Sequence, residues 1–151
     1  MLLLFGSAGI AQQPNCNGCR CFSNKSPLWG VEIDKQGTEY LVPGDSIRYY
    51  SDDIKLLIAQ LNKRKKVRVK LLRLTKEVIY VKVLNSAVLT QTMGTDGANS
   101  YLAILVFTLT EYAGHKKVYI DFEQGDHGGE PGIRDRNYFR DMFVICPRPS
   151  S

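Results

Sequence analysis

Apolar and polar positions along this chain change period several times, and each change marks an element. Leu28 to Asp34 and Thr38 to Val42 form short apolar runs on either side of the turn-forming stretch Asp34 to Gly37 (DKQG), so they read as a β-hairpin. Pro43 and Gly44 end the second run. Ile54, Leu57, Ile58 and Leu61 then recur at i, i+3, i+4 and i+7, one stripe of an amphipathic helix that belongs against a core. Ser51 is placed to cap that helix, with Asp52 and Asp53 at its positive end and Lys63 and Arg64 at its negative end. Period two follows. Val67, Val69 and Leu71 alternate with Arg68 and Lys70; after a turn at Thr75 to Glu77, Ile79, Val81 and Val83 alternate with Tyr80 and Lys82. The doublet Leu71 and Leu72 breaks the alternation and marks a bulge.

Residues 94 to 122 carry the strongest signal. A segment capped by Asp96 or Asn99 and running to about Tyr112 is apolar nearly all round, which predicts the most buried helix of the protein. Gly114 supplies its C-terminal stop. A strand follows in which Val118, Ile120 and Phe122 point inward while Lys117, Tyr119 and Asp121 point out. The order ββαββαβ predicts an α+β fold: a mixed or antiparallel sheet with two helices packed on one face, in a two-layer sandwich.

Thr108 to Tyr112 (TLTEY), followed by Lys116 to Val118 (KKV), resembles the second half of a GerMN domain, the small module of spore-germination and sporulation proteins and of some bacterial envelope lipoproteins. The run Tyr40 to Pro43 (YLVP), with a helix and paired strands after it, is similar to the first half. The resemblance covers about residues 28 to 123 in a single copy. It implies a non-catalytic interaction module of the cell envelope that can self-associate into homo-oligomers. It also implies, as an alternative, an attached enzyme of wall metabolism.

The 151 residues suit one domain with one core. Residues 1 to 11 (MLLLFGSAGIA) read as a cleaved export signal, since they are apolar and end in a small-x-small site, although no lysine or arginine precedes them. A run this short does not cross a bilayer, so no membrane span is expected in the mature chain. Residues 12–27 form a cysteine-rich segment and 124–151 a glycine-rich loop and tail. The four cysteines, Cys16, Cys19, Cys21 and Cys146, fit an exported protein with disulfides. Cys19 with Cys21 would close a strained ring, which leaves Cys146 joined to Cys19 or Cys21 and Cys16 to the other. A four-thiolate zinc site is the rival arrangement.

The net charge of +5 is unevenly placed: eight lysines and arginines between Lys63 and Lys76 have no acidic residue among them. With both helices on one face of the sheet, Arg68, Lys70, Tyr80, Lys82, Lys117 and Tyr119 crowd the other. That basic, tyrosine-dotted face is the candidate binding surface. It suits an acidic envelope protein or an anionic cell-wall polymer, and export argues against nucleic acid. Three polar groups in the loop, Asp126, His127 and Glu130, are weak metal candidates and the one cluster that a hydrolase could use. No nucleophile elbow, phosphate loop, zincin or dinucleotide motif occurs, and no cofactor is implied. His115, in a turn beside two lysines, reads as solvated or dipole-stabilising rather than catalytic.

Overall fold

The computed structural model describes residues 18–22, 24–44 and 53–148. Strands β1 (Gly30–Ile33) and β2 (Glu39–Val42) form the expected antiparallel hairpin. Its turn is chemically determined. Asp34 Oδ1 accepts from the backbone N–H groups of Gln36 and Thr38, at 2.9 and 2.8 Å, and Gly37 takes the left-handed φ of 84° that the reversal requires.

Helix α1 (Ile54–Arg64) buries Ile54, Leu57, Ile58 and Leu61, the stripe read from the sequence. Its cap is Asp53, whose carboxylate accepts from the Lys55 N–H. Ser51 and Asp52 lie outside the described residues. Strands β3 (Val69–Leu74) and β4 (Val78–Val83) pair antiparallel, and the register slips between Leu71 and Arg73, where the leucine doublet predicts a bulge.

Helix α2 (Gly94–Leu109) departs from expectation at both ends. Neither Asp96 nor Asn99 caps it, because a π-helical turn (Val88–Thr92) leads in and the chain is already helical at Met93. Gly94, at φ 72°, makes the joint between the two helical segments. The helix stops at Leu109, short of Tyr112, and a separate 3₁₀ turn (Tyr112–Gly114) carries the chain into β5 (Lys117–Asp121). Gly114, at φ 72°, does end the helical segment.

Strands β4 and β5 are parallel, and α2 is their crossover. With β6 (Gly132–Arg134) beside β5 they complete a four-stranded sheet in the order β3-β4-β5-β6. Val69, Ile79, Val81, Val83, Val118 and Ile120 are buried on one face, in a core shared with both helices. The α+β class and the helices on one face of the sheet are therefore as expected.

The hairpin is not part of that sheet. It pairs instead with β7 (Val144–Ile145), which runs parallel to β2, in a three-stranded sheet of order β1-β2-β7. This second sheet explains the apolar helix. Every residue of α2 from Tyr101 to Leu109 is buried, which needs cover on the side away from the large sheet. Trp29, from the hairpin segment, packs on Phe107 with ring centroids 4.9 Å apart, and Phe139 meets the same ring at 6.4 Å. Residues after 123, read as loop and tail, thus supply two strands and the buried Phe139 and Phe143. Their apolar positions are too few and too widely spaced to show a period. Among the described residues no helix is long and apolar enough to cross a membrane.

A disulfide joins Cys19 to Cys146, one of the two pairings left open for Cys146, with Cα atoms 5.3 Å apart. Next to it the Cys146 N–H donates to the Leu41 carbonyl and continues the β2–β7 ladder. Cys16 and the side chain of Cys21 lie outside the described residues.

Candidate functional site

Strand register places the candidate residues on the sheet face opposite the helices. Alternation along β4 turns Tyr80 and Lys82 outward, and along β5 Lys117, Tyr119 and Asp121. In β3, Lys70 lies opposite Lys82, and Arg68, just before the strand, is exposed beside Leu84 through a carbonyl-to-N–H bond. All six residues expected on the basic face, Arg68, Lys70, Tyr80, Lys82, Lys117 and Tyr119, therefore share one side of the sheet.

Two residues of this face escaped the sequence reading. Simple alternation from Lys70 turns Arg73 toward the core. The bulge at Leu72 reverses that, so Arg73 pairs with Tyr80 and points outward. The signal was present in the leucine doublet. Ile133 of β6 lies opposite Tyr119 and is 55% exposed; it sits in the segment read as a loop. A cross-strand row results, Arg73–Tyr80–Tyr119–Ile133. The Arg73 guanidinium lies 3.9 Å from the Tyr80 ring centroid, and the two tyrosine rings are 5.4 Å apart with planes inclined by 36°.

The next row holds Lys70, Lys82 and Asp121, with Lys82 Nζ 3.4 Å from the Asp121 carboxylate. Asp121 is the acidic residue of the face, and both partners are substantially exposed, so the pair is weak and open to competition. Among the described residues none of the eight cations from Lys63 to Lys76 has an ion-pair partner. Lys65 is held below its ordinary pKa by burial and by the like charge of Arg64. The arrangement is a shallow cationic surface with an aromatic centre, and it offers hydrogen-bond donors, positive charge and ring faces.

A second polar assembly lies where α2 ends. Glu111 Oε1 accepts from the Trp29 indole N–H at 2.8 Å, from Arg136 at 3.0 Å and from Arg148 at 3.4 Å. Burial alone would raise the pKa of this carboxyl; the indole and the two guanidiniums outweigh it and hold the pKa below the usual value. Arg136 also donates to the Phe107 carbonyl and the Thr110 hydroxyl, and Arg148 to the Gly44 carbonyl. Through these contacts Arg136 fastens the segment after β6 to the end of α2. An acidic side chain at the negative end of a helix is unfavourable by itself, and the arginines neutralise it.

His115 is buried, not solvated. Its ring nitrogens face the carbonyl oxygens of Thr75 at 2.7 Å and Tyr112 at 3.0 Å. Thr75 is forty residues away in sequence, beyond the reach of any local pattern. An open groove of about 570 Å³ runs beside these groups and is lined by Glu111, His115, Asp135 and Arg136 among others. Each of those four is already engaged, Asp135 as the cap of a 3₁₀ turn (Arg136–Phe139).

The loop candidates are not gathered. His127 Nδ1 meets the Thr95 hydroxyl at 3.1 Å, while the Asp126 and Glu130 side chains are exposed. Among the described residues no group of three or more His, Cys, Asp or Glu is arranged to hold a metal. Comparison of the chain with models of known families, with curated proteins and with solved structures finds no match.

Proposed function

We propose that this protein is an exported, non-catalytic interaction module of the bacterial cell envelope, GerMN-like in build, which docks through the outer face of its four-stranded sheet. The observation that carries this reading is the concentration of Arg68, Lys70, Arg73, Lys82 and Lys117 around two outward tyrosines, where among the described residues Lys82 alone of these five cations is paired, to Asp121. The Cys19–Cys146 bridge supports an oxidising compartment. Exposed cations of this kind contribute little to folding, commonly below about 0.5 kcal/mol per substitution, yet they steer an acidic partner.

The test is a joint Arg68→Gln, Lys70→Gln, Lys82→Gln and Lys117→Gln variant. Its unfolding midpoint should stay close to wild type, and its retention on an envelope fraction at low salt should fall. Unchanged retention at every salt concentration removes this face from the docking role. The hydrolase alternative has its own assay: muropeptide release from purified peptidoglycan that His127→Ala abolishes would replace the binding reading with an enzymatic one.

A further inference from the structure

The outer sheet face carries more than charge. Charge attraction alone would need only lysines and arginines. Instead Tyr80 and Tyr119 occupy the two central strands side by side, with Arg73 on one flank and Ile133 on the other. Cations lie in the adjoining positions: Lys70 and Lys82 toward one end of the strands and Lys117 toward the other.

We propose that this face binds a carboxylate-bearing polysaccharide, with sugar rings resting on the Tyr80–Tyr119 pair and the uronate-type carboxylates met by Lys70, Arg73 and Lys117. The inference rests on the docking role above and names the ligand for it.

Three observations select this chemistry. The first is the ring geometry. The tyrosine planes are inclined by 36°, and the Arg73 guanidinium covers part of Tyr80. The tilted pair still presents ring faces on which the C–H surface of a sugar can rest. The second is the spacing of charge. Cations stand on both sides of the ring row, Lys70 toward one end and Lys117 toward the other, with Arg73 at the flank of the row itself, which matches a polymer whose rings and anions belong to the same unit. With its guanidinium 3.9 Å from the Tyr80 ring centroid, Arg73 can meet a carboxylate in a bidentate contact beside the ring. The third is the compartment. The Cys19–Cys146 bridge supports a compartment where disulfides persist, the one in which this docking role meets acidic glycans.

The full chain is titrated with oligogalacturonate, a neutral oligosaccharide of equal length, poly-glutamate of equal charge and oligothymidylate, at physiological ionic strength. Oligogalacturonate should bind, the neutral sugar should not bind detectably, and the other two polyanions should bind at least about tenfold more weakly. The joint Tyr80→Ala and Tyr119→Ala variant should weaken oligogalacturonate about tenfold or more while changing poly-glutamate binding less than about twofold. The Tyr80→Phe and Tyr119→Phe pair keeps the rings and should retain the affinity, which separates lost stacking from lost folding. Poly-glutamate binding as tight as oligogalacturonate, indifferent to the tyrosines, overturns the proposal and leaves the docking role intact. Preference for oligothymidylate, or no binding of oligogalacturonate, overturns it as well. Retention on envelope material decides the docking role separately.

Discussion

Removing the Glu111 carboxylate tests whether three distant parts of the chain are fastened at one point. In Glu111→Ala the Trp29 indole N–H, on a residue only 3% exposed, loses its acceptor; an unpaired buried donor costs about 1–3 kcal/mol. The Arg136 pair contributes less, because its side chain is 38% exposed and screened by water. Together these give a loss of about 2–4 kcal/mol for Glu111→Ala. Glu111→Gln preserves an acceptor for the indole and removes the charge, so it should lose only about 1 kcal/mol. The sign of the pH dependence follows from the depressed pKa. A carboxyl whose folded pKa lies below its unfolded value stabilises the protein above that unfolded value, and the contribution is lost as pH falls through the folded one. The advantage of wild type over Glu111→Gln should therefore be full at neutral pH and shrink as pH drops below the ordinary value of 4.5. Urea unfolding of both variants across that range, with Trp29→Phe to close a double-mutant cycle, measures it. Losses below about 0.5 kcal/mol in Glu111→Ala, or no coupling to Trp29, would show that the cluster is surface decoration.

Further outcomes follow from burial and covalent closure. Leu105→Ala and Leu109→Ala, both 0% exposed within α2, should each cost about 2–5 kcal/mol in denaturant unfolding; two neutral results would remove this helix from the core. Cys146→Ser opens a loop closed across a sequence separation of 127, and loop-closure entropy makes that loss about 5 kcal/mol. A thermal midpoint unchanged by the substitution would mean that β7 does not need its bridge. At Gly44 an added Cβ would run into the backbone carbonyls of Ser26 and Leu28, so Gly44→Ala should destabilise by about 1–3 kcal/mol, and calorimetry showing a neutral change would contradict the close approach there.

What the sequence revealed and what it hid divide by distance along the chain. The Asp34 turn, the α1 stripe, the bulge at Leu72 and the all-round burial of α2 are local in origin, and each was readable. So was the shared face of Lys70, Tyr80, Lys82 and Tyr119, since alternation within strands determines it. The partition into two sheets was not readable, because β7 joins β2 from the far end of the chain and contributes only Val144 and Ile145. Glu111 looked like one residue of a family motif, yet its role comes from Trp29, 82 residues earlier, and Arg148, 37 later. His115 was misjudged for the same reason. The α2 cap failed differently. Asp96 has the right chemistry for a cap, but the helix begins at the Gly94 joint, so Asp96 falls inside its first turn rather than at the cap position.

The parallel pairing of β2 with β7 has a consequence for the order of events during synthesis. The hairpin is synthesised long before its third strand. Until then β2 shows an unpaired edge, and the sulfur of Cys19 has no Cys146 to meet. Local contacts can form α1 and the β3–β4 hairpin as they emerge, but the sheet that closes over α2 waits for β7. Truncation within the last few residues before Arg148 would therefore damage the first strands rather than the last. The uncovered edge and the bared side of α2 would be the surfaces through which such fragments aggregate.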